Sequence, residues 1–97
     1  MYNIIKTQRF EKWFKSLKDM YAKAKIEVMI RRMELGNLGD VKPVGDGISE
    51  TRIHYGAGYR LYFYMQGEVM IILLCGGDKS TQQKDIEIAK ELKKCLK

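Results

Sequence analysis

The chain has 97 residues, with 18 Lys/Arg against 12 Asp/Glu, nine glycines, one proline and a 45% hydrophobic content. That length and apolar fraction predict one small domain, residues 1–97, with a core that needs no disulfide or metal staple, and exclude global disorder and a second domain. The longest apolar run, Val69 to Cys75, is far shorter than the roughly 20 residues of a membrane span, and MYNIIKTQRF lacks a signal-peptide apolar stretch. A cytoplasmic protein with reduced Cys75 and Cys95 and no membrane partner is expected.

The net charge of +6 favours an anionic partner, and its distribution is uneven. Residues 1–45 carry ten Lys/Arg against five Asp/Glu, whereas residues 46–97 carry eight against seven.

Tyr2 to Ile5 is short and β-prone. Phe10, Trp13, Phe14 and Leu17 then recur at helical spacing between lysines, the pattern of an amphipathic helix. Asp19 is placed to cap a second helix with Ala22, Ile26, Met29, Ile30 and Met33 on one side, ending at LGNLGD, and the pair reads as a helical hairpin. From Ile48 the period becomes two, and ISETRIHY, YRLYFYM and EVMIILLC read as an antiparallel meander. A three-residue Gly56-Ala57-Gly58 loop would pair His54 with Arg60 and Arg52 with Tyr62. Thr51, Ile53, Tyr55, Tyr59, Leu61 and Phe63 then share the face the helices cover, while Arg52, His54, Arg60, Tyr62 and Tyr64 share an open one. A two-residue Gln66-Gly67 turn would set Leu61 opposite Ile72, in a third strand apolar on both faces and therefore central. After GGDKSTQQ, Ser80 or Thr81 is placed to cap a last helix, with Ser80 and Gln83 at capping-box spacing and Ile86, Ala89, Leu92 and Leu96 on one side. The order β-α-α-β-β-β-α is an α+β fold: an N-terminal strand and helical hairpin packed on a β-meander, with a C-terminal helix.

The open-face cluster of Arg52, His54, Arg60 and Tyr62 has the inventory of a phosphate site. Guanidiniums fork onto phosphate oxygens, a phenol stacks on a base, and an imidazole exchanges a proton near neutral pH. Two arginines on one face repel unless an anion visits or an acid such as Glu50 neutralises them. Lys79, after Gly76-Gly77-Asp78 and before the last helix, is placed to join them. Cleavage of RNA by its own 2′-hydroxyl needs a proton removed, an anionic phosphorane stabilised and the leaving oxygen protonated, and cations with acid–base groups supply all three without a metal. The bland alternative is an ordinary solvated β-face. No metal-ligand spacing, nucleophile elbow or dinucleotide fingerprint is present, so no metal or cofactor is expected.

The segments GNLGDVKPVGDG, RIHYGAGYRLYF and LLCGGDKSTQ occur in order, and over nearly its whole length the chain resembles the HigB-like, phage-related addiction-module killer branch of the RelE/ParE toxins. The resemblance implies a RelE-like fold and the toxin half of a type II toxin–antitoxin pair. It also implies a neighbouring helix-turn-helix (HigA-like) antitoxin, operator DNA bound through the complex, and ribosome-dependent, metal-independent cleavage of mRNA. By motif position, Arg60 becomes the foremost phosphate and transition-state contact, with Arg52 and Lys79 beside it. Lys42 in VKPVG and His54 become proton-transfer candidates, and Tyr59 or Tyr62 stacks a base; the predicted register favours Tyr62. The tail KELKKCLK lacks the aromatic and Arg residues that several RelE-like toxins carry there, which leaves the acid and base open. The alternative within the resemblance is a ParE-like protein that poisons DNA gyrase without nuclease chemistry.

Overall fold

A computed structural model describes residues 1–96 of the chain. Strand β1 (Asn3–Lys6) is followed by α1 (Gln8–Ser16), α2 (Met20–Glu34), β2 (Asp40–Gly45), β3 (Ile48–Ile53), β4 (Tyr59–Gln66), β5 (Met70–Asp78), a 3-10 turn (Lys79–Thr81) and α3 (Gln82–Cys95). The strands form one mixed sheet in the order β1-β5-β4-β3-β2, with β1 parallel to β5 and the other pairs antiparallel. The fold is α+β, as the periodicity predicts, and apolar β5 lies inside the sheet between β1 and β4. No helix among the described residues is long and apolar enough to cross a membrane.

Side-chain caps start the first two helices. Thr7 Oγ1 accepts from Phe10 N, and Asp19 Oδ1 accepts from Tyr21 N and Ala22 N, each satisfying amides that a helix start leaves unpaired. The stripe Ala22, Ile26, Met29, Ile30 and Met33 is buried, and its last four residues join Phe10, Ile53, Leu61, Phe63, Ile71 and Leu73 in a core between the helical hairpin and one sheet face. A second core lies on the other face, where Ala89, Ile86 and Leu92 of α3 pack on Ile48, Tyr62, Tyr64, Ile72 and Leu74. The face expected to be open is therefore largely roofed by α3.

Four further details differ from the sequence reading. The sequence pattern predicts no strand over residues 40–45, which form β2, an edge strand against β3. Pro43 is tolerated there because an edge strand has no ladder partner for the missing amide, and a register shift falls between Pro43 and Gly45. In β3–β4, Arg52 faces Arg60 and Thr51 faces Leu61, two residues from the predicted register, because the connection runs over residues 54–58. A shift of two keeps every side chain on its face, so the predicted division into two faces stands although the partners change. In β4–β5, Tyr64 rather than Leu61 faces Ile72, and an irregularity at Tyr62/Phe63 leaves Leu74 as an extra residue. Thr7 Oγ1 donates to Leu74 O at this bulge, tying the start of α1 to it. Finally, Ser80 and Thr81 do not cap α3: the Asp78 carboxylate accepts from Ser80 N and Oγ, and Thr81 Oγ1 donates to Asp85.

Candidate functional site

The β3–β4 connection turns with Gly56 and Gly58 at positive φ, and Lys79 N donates to Ala57 O, fixing the loop against the end of β5. Between them lies an open concavity of about 540 Å³ lined by Arg52, Ile53, His54, the 55–58 loop, Tyr59, Arg60 and Lys79. Five of the expected site residues, Arg52, His54, Tyr59, Arg60 and Lys79, thus meet at one end of the sheet.

Register explains the arrangement. Arg52 and Arg60 are direct cross-strand partners, and Glu50, two residues before Arg52, shares their face. The Glu50 carboxylate is fully buried. Its Oε2 accepts from Arg52 Nε at 3.2 Å and Arg60 Nη1 at 3.1 Å, and its Oε1 from Gln82 Nε2 at 2.9 Å. Burial pushes the Glu50 carboxyl up, but the hydrogen bonds from Gln82 and Arg52 and the charge of Arg60 outweigh it and hold the group below its ordinary range. One carboxylate against two guanidiniums and Lys79 leaves the concavity cationic. Arg60 is nearly enclosed, its side chain 12% exposed, whereas that of Arg52 is 32% exposed.

His54 lies just past β3, exposed, with Nε2 2.6 Å from Asp40 Oδ2. The hydrogen bond from His54 holds the Asp40 carboxyl below its usual range against desolvation that raises it, with the charge of Arg52 aiding the hydrogen bond. Asp40 was not singled out in the sequence. Its approach to His54 depends on β2 pairing Asp40 with Arg52, and the glycines around β2 conceal that strand.

Two expected residues lie elsewhere. Tyr62 is fully buried beneath α3, so it has no ring face to offer a base, and burial with the nearby Glu50 charge raises its hydroxyl pKa. The preference for Tyr62 over Tyr59 is therefore reversed: Tyr59, packed at a tilt against Trp13, lines the concavity. Lys42 is exposed on β2 opposite Glu50, outside the lining. The glycines before Lys79 are buried strand residues of β5, set by packing against Trp13 and Asp85 rather than by a phosphate loop.

The family described as phage derived protein Gp49-like (DUF891) matches residues 12–94. A protein of Haemophilus influenzae described as uncharacterized is 56% identical over 86 residues, covering 89% of this chain and 87% of that protein.

Proposed function

The chain belongs to the Gp49-like family of phage-derived proteins, a toxin-like family related to RelE, and we propose that it is the toxin of a type II toxin–antitoxin pair. In this reading it is a HigB-like endoribonuclease that cuts mRNA on the ribosome in the cytoplasm. A helix-turn-helix antitoxin neutralises it, and the pair together binds operator DNA. The single observation that carries the chemistry is the convergence of Arg52, Arg60 and Lys79 on one concavity with a His–Asp pair at its rim.

A scissile phosphate in that concavity meets guanidinium donors from Arg60 and Arg52, whose charge stabilises the phosphorane as the 2′-oxygen attacks phosphorus. His54, steadied by Asp40, takes the 2′-hydroxyl proton. The P–O5′ bond breaks, leaving a 2′,3′-cyclic phosphate on one fragment, and the departing 5′-oxygen takes a proton from the Lys79 ammonium to leave a 5′-hydroxyl on the other. Tyr59 supplies a ring on which a neighbouring base stacks, and Lys42 a flanking phosphate contact.

Primer extension on a defined mRNA, with and without programmed ribosomes, tests this reading by comparing the unsubstituted protein with Arg60→Ala. New ends that require both the ribosome and Arg60 are expected. Growth arrest with intact mRNA and an SOS response would overturn it in favour of a gyrase target.

A further inference from the structure

We propose that Glu50 is the positioning residue of this site, a buried clamp that aligns Arg52 and Arg60 on the substrate phosphate and is itself fixed by Gln82 from α3. This deepens the nuclease reading and rests on it. Direct cross-strand opposition of two like charges is unfavourable, yet here both are directed to one carboxylate oxygen, Oε2, while the other oxygen is held by the first residue of α3. The carboxylate engages Arg52 through Nε and Arg60 through Nη1, and Arg60 Nε is buried without a partner among the described residues, so Arg60 Nη2 and the two Nη nitrogens of Arg52 are the guanidinium groups that Glu50 leaves for an anion. Being fully buried, Glu50 does not reach substrate and acts through the arginines. The roof helix is thereby wired to the site, since Gln82 is presented only when α3 is docked.

The clamp is distinguishable from a proton-transfer group by how it tolerates an amide. In Glu50→Gln the amide oxygen takes the place of Oε2 and accepts both arginine bonds, and the amide nitrogen finds an acceptor once Gln82 turns its own amide over. Glu50→Ala leaves the two guanidiniums opposed with nothing between them. Single-turnover cleavage on ribosomes is expected to fall about 100-fold in Glu50→Ala and to stay within about tenfold of the unsubstituted protein in Glu50→Gln, as for misplacement of positioned groups. In parallel, NMR of the guanidinium protons of Arg52 and Arg60 is expected to show hydrogen-bonded signals in the unsubstituted protein and Glu50→Gln that vanish in Glu50→Ala.

Equal inactivity of both variants with the arginine signals intact in Glu50→Gln would overturn the proposal and make Glu50 a proton carrier. Full activity of a folded Glu50→Ala would overturn it as well. If Glu50→Ala does not fold, Gln82→Ala takes its place: a lowered rate with a perturbed Arg52 signal supports the clamp, and unchanged rate and signals overturn it. If the unsubstituted protein makes no cut on ribosomes, the nuclease reading fails, while the arginine signals still decide whether the clamp exists.

Discussion

The indole of Trp13 occupies the space in which any side chain at position 76 would begin, so that a Cβ on Gly76 would overlap its six-membered ring. The bulge at Leu74 sets this contact: past it, Gly76 faces the α1 side and Gly77 the α3 side, where a Cβ would overlap the Asp85 carboxylate. Gly76→Ala is therefore expected to destabilise the fold by about 1–3 kcal/mol, since a rigid ring in a packed core cannot step aside without strain. Gly77→Ala should cost less, because the Asp85 carboxylate is the end of a flexible side chain and gives up only its bond from Thr81. Urea midpoints of the two variants check the order, and a midpoint for Gly76→Ala equal to that of the unsubstituted protein would contradict it.

Such contacts mark the boundary of what the sequence makes legible. The helical stripes and the two faces of β3 and β4 follow from local periodicity, and every residue of the α2 stripe is buried as its spacing predicts. A register error of two left the faces intact, which is why Arg52, His54 and Arg60 were grouped correctly with the wrong partners. Three features depended on long-range packing and were not readable. Strand β2 is disguised by Gly39, Pro43 and Gly45, the bulge at Leu74 is fixed by Thr7 from 67 positions away, and α3 docks over Tyr62. The last two decide why Gly76-Gly77 is a packing device and why Tyr62 is not a base platform.

Tyr59 and Tyr62 should respond oppositely to substitution. The Tyr62 hydroxyl is buried without a hydrogen-bond partner among the described residues, so Tyr62→Phe removes an unsatisfied group and is expected to leave stability unchanged or raise it by up to about 1 kcal/mol. Cleavage should be unaltered. Tyr59→Leu retains apolar contact with Trp13 but loses the ring facing the concavity, and is expected to weaken cleavage by about 1–3 kcal/mol of stacking. Thermal melts paired with primer-extension yields separate the two. Loss of cleavage by a stable Tyr62→Phe would contradict the assignment.

The Asp40–His54 pair predicts non-additivity. If Asp40 acts by orienting the imidazole, then His54→Ala removes everything Asp40 contributes, and the double variant with Asp40→Asn should be no slower than His54→Ala alone. Loss of general-base assistance is expected to lower the single-turnover rate by about 10²-fold or more. Because both side chains are more than half exposed, thermal stability should change little. Additive losses in the double variant would show that the two residues act separately.

The buried carboxylate also gives the fold an acid-side signature whose sign follows from its environment. Glu50 is held below the ordinary 4.5 in the folded chain, so the unfolded chain takes up its proton first as pH falls. The stabilisation is fully present above about 4.5 and is lost as pH drops through the lower, folded value. Asp40 works in the same direction. Asp85 opposes them: burial raises its carboxyl, although the bond from Thr81 partly offsets this, so the folded chain takes up that proton first. Comparing Glu50→Gln with the unsubstituted protein isolates Glu50, because Asp40 and Asp85 titrate in both. The gap in melting temperature between them is expected to be widest near neutral pH and to shrink as pH falls below 4.5. Calorimetry at several pH values between 7 and 3 measures this, and a gap that stays constant across that range would mean that the arginine clamp does not hold Glu50 ionised.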